Sequence, residues 1–316
     1  MPQPDSIGSL GEGATLLRIF PRLPAADAQL LGPGDDAAVV AALDGRFVVT
    51  TDMMIHGPDF RLAWSTPRDL GFKAAASNLA DVAAMGARPT ALVVALAVPA
   101  STPVSSLEGI ADGFREACEL LAPGCGVVGG DLSVSDTFTI AVTAFGDLDG
   151  RAPVLRSGAR VGDLVAVSGH LGHAAAGLRL LFEHGVTDAT ELRSREPLVE
   201  EQLAPRPPIG DGVLASIAGA TAMLDLSDGL ALDARRIAAA SGVAIDFDSG
   251  AIGSREALDG GEDHSLLATF PAGALLPGGF RVIGAVVEGS GVLVDGAAYE
   301  ARGGWDPYEG WDGAAG

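Results

Sequence analysis

Apolar runs in this sequence end repeatedly in an aspartate-bearing turn. VVTTDMM closes one run at Asp52 and VVGGDLS another at Asp131, while MLDLSDGL sets Asp225 and Asp228 around Ser227 where a strand passes into a helix. GPGDDAAVV places Asp35 beside Asp36, and DGGEDH places Glu262 beside Asp263. Gly, Pro and Asp each suit turns for their own backbone reasons, so any one of these segments alone reads as a solvated turn. Their recurrence is more restrictive. In α/β folds the ends of strands are where ligands bind. Carboxylates gathered there repel one another unless a cation joins them or some remain protonated. Hard divalent cations solve that problem, and Mg²⁺ commonly joins a few carboxylates to substrate phosphates.

The segments between the turns alternate in type. Strands are expected over 46–55, 89–99, 125–133 and 137–146, with helices over 65–87 and 106–122. The second half repeats the alternation, with strand 163–169, helix 173–185, a polar stretch to 208, and strand, acidic turn and helix over 221–242. A strand follows at 243–248, then 260–270 passes from turn to strand, and the last strands are at 280–287 and 291–296. The Gly-, Arg- and Asp-rich stretch 146–163 separates the halves. With 316 residues the chain can form two α/β (mixed α+β) domains, 1–149 and 150–316.

The 65–87 helix has the clearest signals. Thr66 can cap it, Pro67 suits its first position and Asp69 sits where the helix dipole favours an acid. Lys73, Ser77 and Asp81 recur every four residues and form a polar stripe, with Asn78 beside it. The stripe is either a solvated face or, because the rest of the helix is so apolar, a buried one that needs partners. Ser227 or Asp228 reads as the cap of the 229–241 helix, a role compatible with holding phosphate there. His170 and His173 in GHLGHAAAG read as polar turn residues.

Charge narrows the function. Asp plus Glu is 41 against 20 for Lys plus Arg, a formal net of −21, which disfavours nucleic acid as a partner. Lys73 is the only lysine and no G-K-[ST] occurs, so a P-loop is excluded. Phosphates would have to be held by metal ions, backbone N–H groups and arginine. The longest apolar run, 91–98, falls far short of the ~20 residues of a membrane helix. The opening MPQPDSIGSL lacks the basic start and apolar block of a signal peptide. A soluble, cytoplasmic protein is expected, with Cys118 and Cys125 as reduced thiols.

GPGDDAAVV, TTDMMIHGPDF, KAAASNLADVAAMGARP, GGDLS, LRSGARVGD, LDLSDGL and GGED follow one another in an order that resembles the thiamine-monophosphate kinases. These belong to a superfamily with aminoimidazole-ribonucleotide synthetase and selenophosphate synthetase, and the resemblance spans roughly residues 8 to 312. It implies Mg-assisted, direct in-line transfer of the γ-phosphoryl group of ATP to thiamine monophosphate, giving thiamine diphosphate. It also implies a homodimer in which the N-terminal sheets of two subunits join. By the same resemblance Asp35, Thr50, Thr51, Asp52, Asp81, Asp131, Asp225 and Asp228 match metal positions, several Mg²⁺ ions being involved. Asp52, Asp81 and Asp228 would be central to turnover. Gly130, Asp131, Arg156 and Ser227 match ATP positions, and Glu262 matches a substrate position. The chain departs from the family pattern in three places. Asp59 stands at a substrate position where His is usual, His264 stands where Tyr or Phe is usual, and GWDGAAG keeps Trp311 and Asp312 but no final aromatic. Trp311 or Trp305 is the aromatic expected to stack on thiamine. The departures leave room for another phosphate or carboxylate acceptor, or for a binding protein that has lost its chemistry.

Overall fold

A computed structural model describes residues 6–32, 38–185 and 189–304. The chain opens with α1 (Ile7–Leu10) and α2 (Glu12–Ile19), then a two-stranded ribbon of β1 (Gln29–Leu31) and β2 (Val39–Val40). Next come β3 (Val48–Ile55), α3 (Pro67–Ala84), β4 (Arg88–Val98), α4 (Val104–Leu121), β5 (Gly126–Val134) and β6 (Thr139–Asp147). The four long strands form one sheet in the order β3-β6-β4-β5, with α3 and α4 on one face.

The second half contains β7 (Leu164–Ser168), α5 (His173–His184), α6 (Thr190–Arg195), α7 (Leu198–Leu203), α8 (Ile209–Ile217), β8 (Ala222–Leu226) and α9 (Leu230–Ser241). It ends with β9 (Ala244–Phe247), α10 (Ser249–Ile252), α11 (Arg255–Asp259), β10 (Ser265–Phe270), β11 (Arg281–Val287), β12 (Gly291–Val294) and β13 (Ala297–Ala298). Its sheet runs β13-β12-β9-β11-β7-β10-β8. Strands β7, β10 and β8, at one end of this sheet, are buried on both faces.

The expected strands and main helices are present. The polar stretch to 208 is not irregular, however, because α6 and α7 form there. Both are short and punctuated by Pro197 and Pro205, and their helicity comes from packing on α5 and α3 rather than from intrinsic propensity.

α3 begins as its sequence dictates. Thr66 accepts from the Asp69 N–H, and Asp69 Oδ2 accepts the Thr66 N–H at 2.8 Å, so two orphan donors of the first turn are satisfied reciprocally. The helix then lies between the two sheets, buried almost throughout. Its neighbours in the main hydrophobic cluster include Leu92 and Phe114 from the first half and Ala215, Met223 and Phe270 from the second. At Gly212 a β-carbon would lie 2.1 Å from the Ala83 carbonyl oxygen, so glycine allows α8 to approach α3 closely. The halves therefore share one core along α3. Among the described residues no helix is long and apolar enough to cross a membrane.

The outer face of the four-stranded sheet is covered only in part: Ala26, Ala38 and Val40 pack with Ala91, Val93 and Phe145, and the portion at β3 is left bare. Along β3, Val48, Thr50, Asp52 and Met54 turn toward α3, whereas Val49, Thr51, Met53 and Ile55 turn away. On that outer side Val49 and Met53 are 53% and 54% exposed, and Phe47 just ahead of the strand is 58% exposed.

Candidate active site

The stripe on α3 is a buried one. Lys73, Ser77 and Asn78 are buried and Asp81 is half-buried, and their partners come from both halves of the chain. Thr50 of β3 donates to Asp81 Oδ2 at 2.8 Å. Lys73 Nζ lies 2.5 Å from Glu262 Oε2, in the turn ahead of β10. The Gln202 amide of α7, oriented to donate to the Ala174 carbonyl, turns its oxygen to Lys73 Nζ at 3.2 Å. His264 Nδ1 lies 3.3 Å from Asp225 Oδ2 at the end of β8.

Two acidic turns of the second half are stitched together beside these groups. The Glu262 N–H donates to the Ser227 carbonyl at 2.8 Å, and the His264 N–H to Leu226 at 3.0 Å. A β-carbon on Gly261 would lie 2.5 Å from the Ser227 oxygen, so only glycine fits there. Glu262 and His264 themselves adopt positive φ, +71° and +50°. Non-glycine residues pay strain for that conformation, and such strain gathers at functional sites.

The electrostatics follow from the grouping. Burial, together with the charges of Asp225 and Asp52, pushes the Asp81 carboxyl up to about 7 against the Thr50 bond. Burial likewise raises Asp52, with Glu262 and Asp225 adding to it. Burial also raises Asp59, whose Oδ2 accepts the Ile55 N–H at 2.7 Å and which feels Glu262 and Asp52. Burial alone would raise Glu262, but Lys73 and His264 outweigh it and hold the carboxyl below its ordinary value. Burial alone would lower His264, but the bond to Asp225 and the charge of Glu262 win, and the ring rises to about 9. Five carboxyl groups, Asp52, Asp59, Asp81, Asp225 and Glu262, thus interact around two cationic side chains, Lys73 and His264. The surplus is negative and its donors are oxygen, a set that suits Mg²⁺.

Other expected site residues lie elsewhere. Asp228 Oδ2 is 2.5 Å from Arg236 Nη2, and its interaction partners are Asp233 and Arg236 of α9 rather than Asp81. Neither Ser227 nor Asp228 caps α9. The N-cap is Gly229, and Asp233 reaches back to accept the Asp228 and Gly229 N–H groups at 3.0 and 3.1 Å while pairing with Arg236.

Thr51 and Asp131 lie on the outer face of the sheet, away from Asp52. Thr51 Oγ1 donates to the Val142 carbonyl at 3.0 Å, and Asp131 is level with Ala95, Ala141 and Met53 and accepts from Ser133. Gly130 and Asp131 border a cavity of about 790 Å³ also lined by Phe47, Val93, Phe114 and Phe145. Arg156 is exposed in the connection to the second sheet. Its neighbours Leu155 and Gly158 pack on Met223 and Thr221, toward the opposite end of β8 from Asp225. Asp35, Trp305 and Trp311 lie outside the described residues.

Sequence reasoning passed over Gln202, Asp233 and Arg236 and did not pair Lys73 with Glu262. The alternation of a strand was signal enough to put Thr51 on the face opposite Thr50 and Asp52.

Comparison with known proteins identifies the fold. The model of the AIR synthase related protein N-terminal domain matches residues 34–148, and that of the C-terminal domain matches 160–277. Fold and site thus define an AIR synthase-related protein of two mixed α/β halves. Within that class, thiamine-monophosphate kinase of Mycobacterium tuberculosis is 46% identical over 96% of this chain and 93% of its own. A crystal structure of thiamine-monophosphate kinase from Stenotrophomonas maltophilia superposes with a TM-score of 0.79 at 34% identity, covering 92% of this chain and 98% of that one. AaThiL complexed with AMPPCP and TMP gives 0.73 at 34% identity, covering 93% and 96%. The chain belongs to the thiamine-monophosphate kinase family of AIR synthase-related proteins.

Proposed function

We propose that this chain transfers the γ-phosphoryl group of ATP to thiamine monophosphate, yielding ADP and thiamine diphosphate. The observation that carries the reading is the seam itself. Carboxylates from the first half (Asp52, Asp81) and the second (Asp225) are drawn together with too few cations to balance them. Family membership supplies the substrates, since a relative of the same fold was crystallised with an ATP analogue and TMP.

Phosphoryl transfer is chiefly positioning and electrostatic stabilisation. The acceptor is a phosphate oxygen already ionised near neutral pH, so no general base is required of the protein. Asp52, Asp81 and Asp225 would hold Mg²⁺, with Thr50 orienting Asp81 through its 2.8 Å bond. When bound, the metal lowers the repulsion between two polyanions and stabilises charge on the leaving oxygen. Lys73 fixes the Glu262 carboxylate at the seam, and Asp59 presents a second carboxylate beside it. Both suit the permanently cationic thiazolium ring of thiamine. Gly130 and Asp131, which border the 790 Å³ cavity on the other side of the sheet from Asp52, are assigned to ATP through the family pattern alone. Asp35, Asp228, Ser227, Arg156 and Trp311 remain assigned to metal, ATP and substrate through the family pattern.

The bare portion of the sheet supports the homodimer. Val49, Met53 and Ile55 form an exposed apolar row on the outer side of β3, the edge strand of its sheet, and a second copy would bury it. Met53→Lys is expected to shift the protein from dimer to monomer in light scattering, and an unchanged mass would remove that argument. We place the boundary between the halves at residues 149/150, and the cytoplasm is the compartment in keeping with a biosynthetic enzyme.

The test of function is direct. The protein is incubated with ATP and Mg²⁺ and either thiamine monophosphate or thiamine. Thiamine diphosphate is expected from the monophosphate only. Turnover of ATP with some other phosphate or carboxylate acceptor, and none with thiamine monophosphate, would reassign the substrate and point to Asp59.

A further inference from the structure

The turn after β7 carries two histidines that phosphoryl transfer does not use. His170 and His173 stack with ring centroids 4.3 Å apart and planes 11° from parallel. Glu201 of α7 completes a group in which one ligand atom from each residue lies within 4.8 Å of the others. His170 is exposed, and the other two are half-buried.

The elements that carry these side chains are firmly held. Gly172 has φ +75°, and a β-carbon there would meet the Glu256 and Ala257 backbone at 2.6 Å, so the turn requires glycine. Asp263 accepts the N–H groups of Gly172 and Ala174 at 2.5 and 2.8 Å, on either side of His173. Ser265 Oγ donates to the His170 carbonyl at 2.7 Å. On α5, Gly177 lets α7 approach so closely that a β-carbon would sit 2.0 Å from the Leu198 carbonyl oxygen, and this brings Glu201 to the histidines.

We propose that His170, His173 and Glu201 form a binding site for a borderline divalent transition metal of the Zn²⁺ class, separate from the oxygen-only seam. Imidazole nitrogen favours such ions over Mg²⁺, and two histidines with one carboxylate form a recurrent three-ligand set that leaves a fourth position open. A tetrahedral ion with bonds of about 2.0–2.1 Å needs ligand atoms roughly 3.3 Å apart, so rotation of the exposed His170 ring closes the site without moving backbone. Ser168 pairs with Leu266 and Leu266 with Asp225, so this site opens at the same end of the sheet as the seam, two strands away. A bound ion would clamp the 169–173 turn to α7, across the loop that carries Glu262 and Asp263.

Calorimetric titration with Zn²⁺ alone, in saturating Mg²⁺ so that the oxygen-only seam is occupied, tests this. Wild type is expected to take up one Zn²⁺ per chain. His173→Ala and Glu201→Gln each weaken binding by at least about tenfold, and His170→Ala with His173→Ala abolishes it. The melting temperature of wild type rises with added Zn²⁺, whereas that of the double variant stays at its zinc-free value. Should the double variant not fold, Glu201→Gln alone still decides, because it alters no ring and no backbone contact. Zinc bound equally well by wild type and Glu201→Gln, or no saturable zinc binding by wild type, overturns the proposal. Neither result depends on whether the chain phosphorylates thiamine monophosphate.

Discussion

Two acidic regions sit within a few residues of each other on either side of the 226–229 turn, and they are resolved differently. In the seam, Asp52, Asp81 and Asp225 face one another, and His264 and Lys73 offset only part of the charge. Around α9, Asp233 is fully buried but accepts two backbone N–H groups and Arg236, and Arg236 also holds Asp228. In the second region each carboxylate has a donor in the chain, although burial, with Asp225 and Asp228 nearby, still raises Asp233 to about 7 against the pull of Arg236. The first lacks that balance: Lys73 and His264 fall short of the carboxylates grouped around them, and the proposed metal-bound polyanion would make up the difference. Unanswered charge, rather than the number of carboxylates, distinguishes function from architecture here.

The sharpest way to break the comparison is to neutralise one acid in each region. Asp81→Asn is expected to lower kcat roughly a thousandfold in a protein that remains folded. Asp233→Ala is expected to cost about 2–4 kcal/mol of stability, since it leaves Arg236 and two backbone donors without their acceptor, with activity lost only as far as folding is. Turnover with Asp81→Asn near wild type, or a fully stable but inactive Asp233→Ala, would reverse the roles. Asp228→Asn lies between. A loss as large as that of Asp81→Asn would show that Arg236 releases Asp228 to the metal when substrate binds.

A smaller effect is expected at the ion pair joining the halves. Lys73→Met should destabilise by about 2 kcal/mol, less than a fully buried pair because the Glu262 side chain is 37% exposed. Glu262→Gln in the same background should restore part of that loss, and denaturant melts of the two variants check it. A Lys73→Met protein as stable as wild type would mean that Glu262 is solvated rather than held.

The smallest expected effect is a pH dependence confined to the seam. Without metal, Asp81 binds its proton more tightly folded than unfolded, its pKa rising from 3.8 to about 7. Its contribution to stability therefore falls as pH rises between those values. His264 is raised from 6.5 to about 9, so its contribution is full below 6.5 and is lost as pH climbs through 9. In metal-free buffer Asp81→Asn should thus melt a few degrees above wild type at pH 8 and close to it at pH 4, and saturating Mg²⁺ should cancel the advantage. An advantage unchanged by pH or by Mg²⁺ would place Asp81 outside the metal site.

Much of this was legible in the sequence, for stated reasons. Thr66, Pro67 and Asp69 announced α3, whereas its polar stripe left a solvated and a buried face equally open until the fold showed it buried. The acidic turns at strand ends singled out Asp52 and Asp225, which the fold brings near Asp81. What was not legible lies between distant segments. Nothing in the sequence pairs Lys73 with Glu262, because two turns and a helix must fold to bring them together. The cap of α9 was missed because Asp233 reaches back from within the helix, where a residue at the usual cap position was expected. Helices α6 and α7 were missed because neighbours, rather than their own residues, make them helical.

Lys73 has a practical corollary. As the only lysine of the chain, and one that is 5% exposed and closed in by Glu262, it leaves the described surface with no side-chain amine at all. Reagents that acylate amines will find the folded enzyme almost blank beyond its chain terminus. Modification of the ε-amine then reports on a single event, the parting of the two halves along the third helix. The rate at which that one group becomes labelled, with and without nucleotide, is a clock for how often the seam opens.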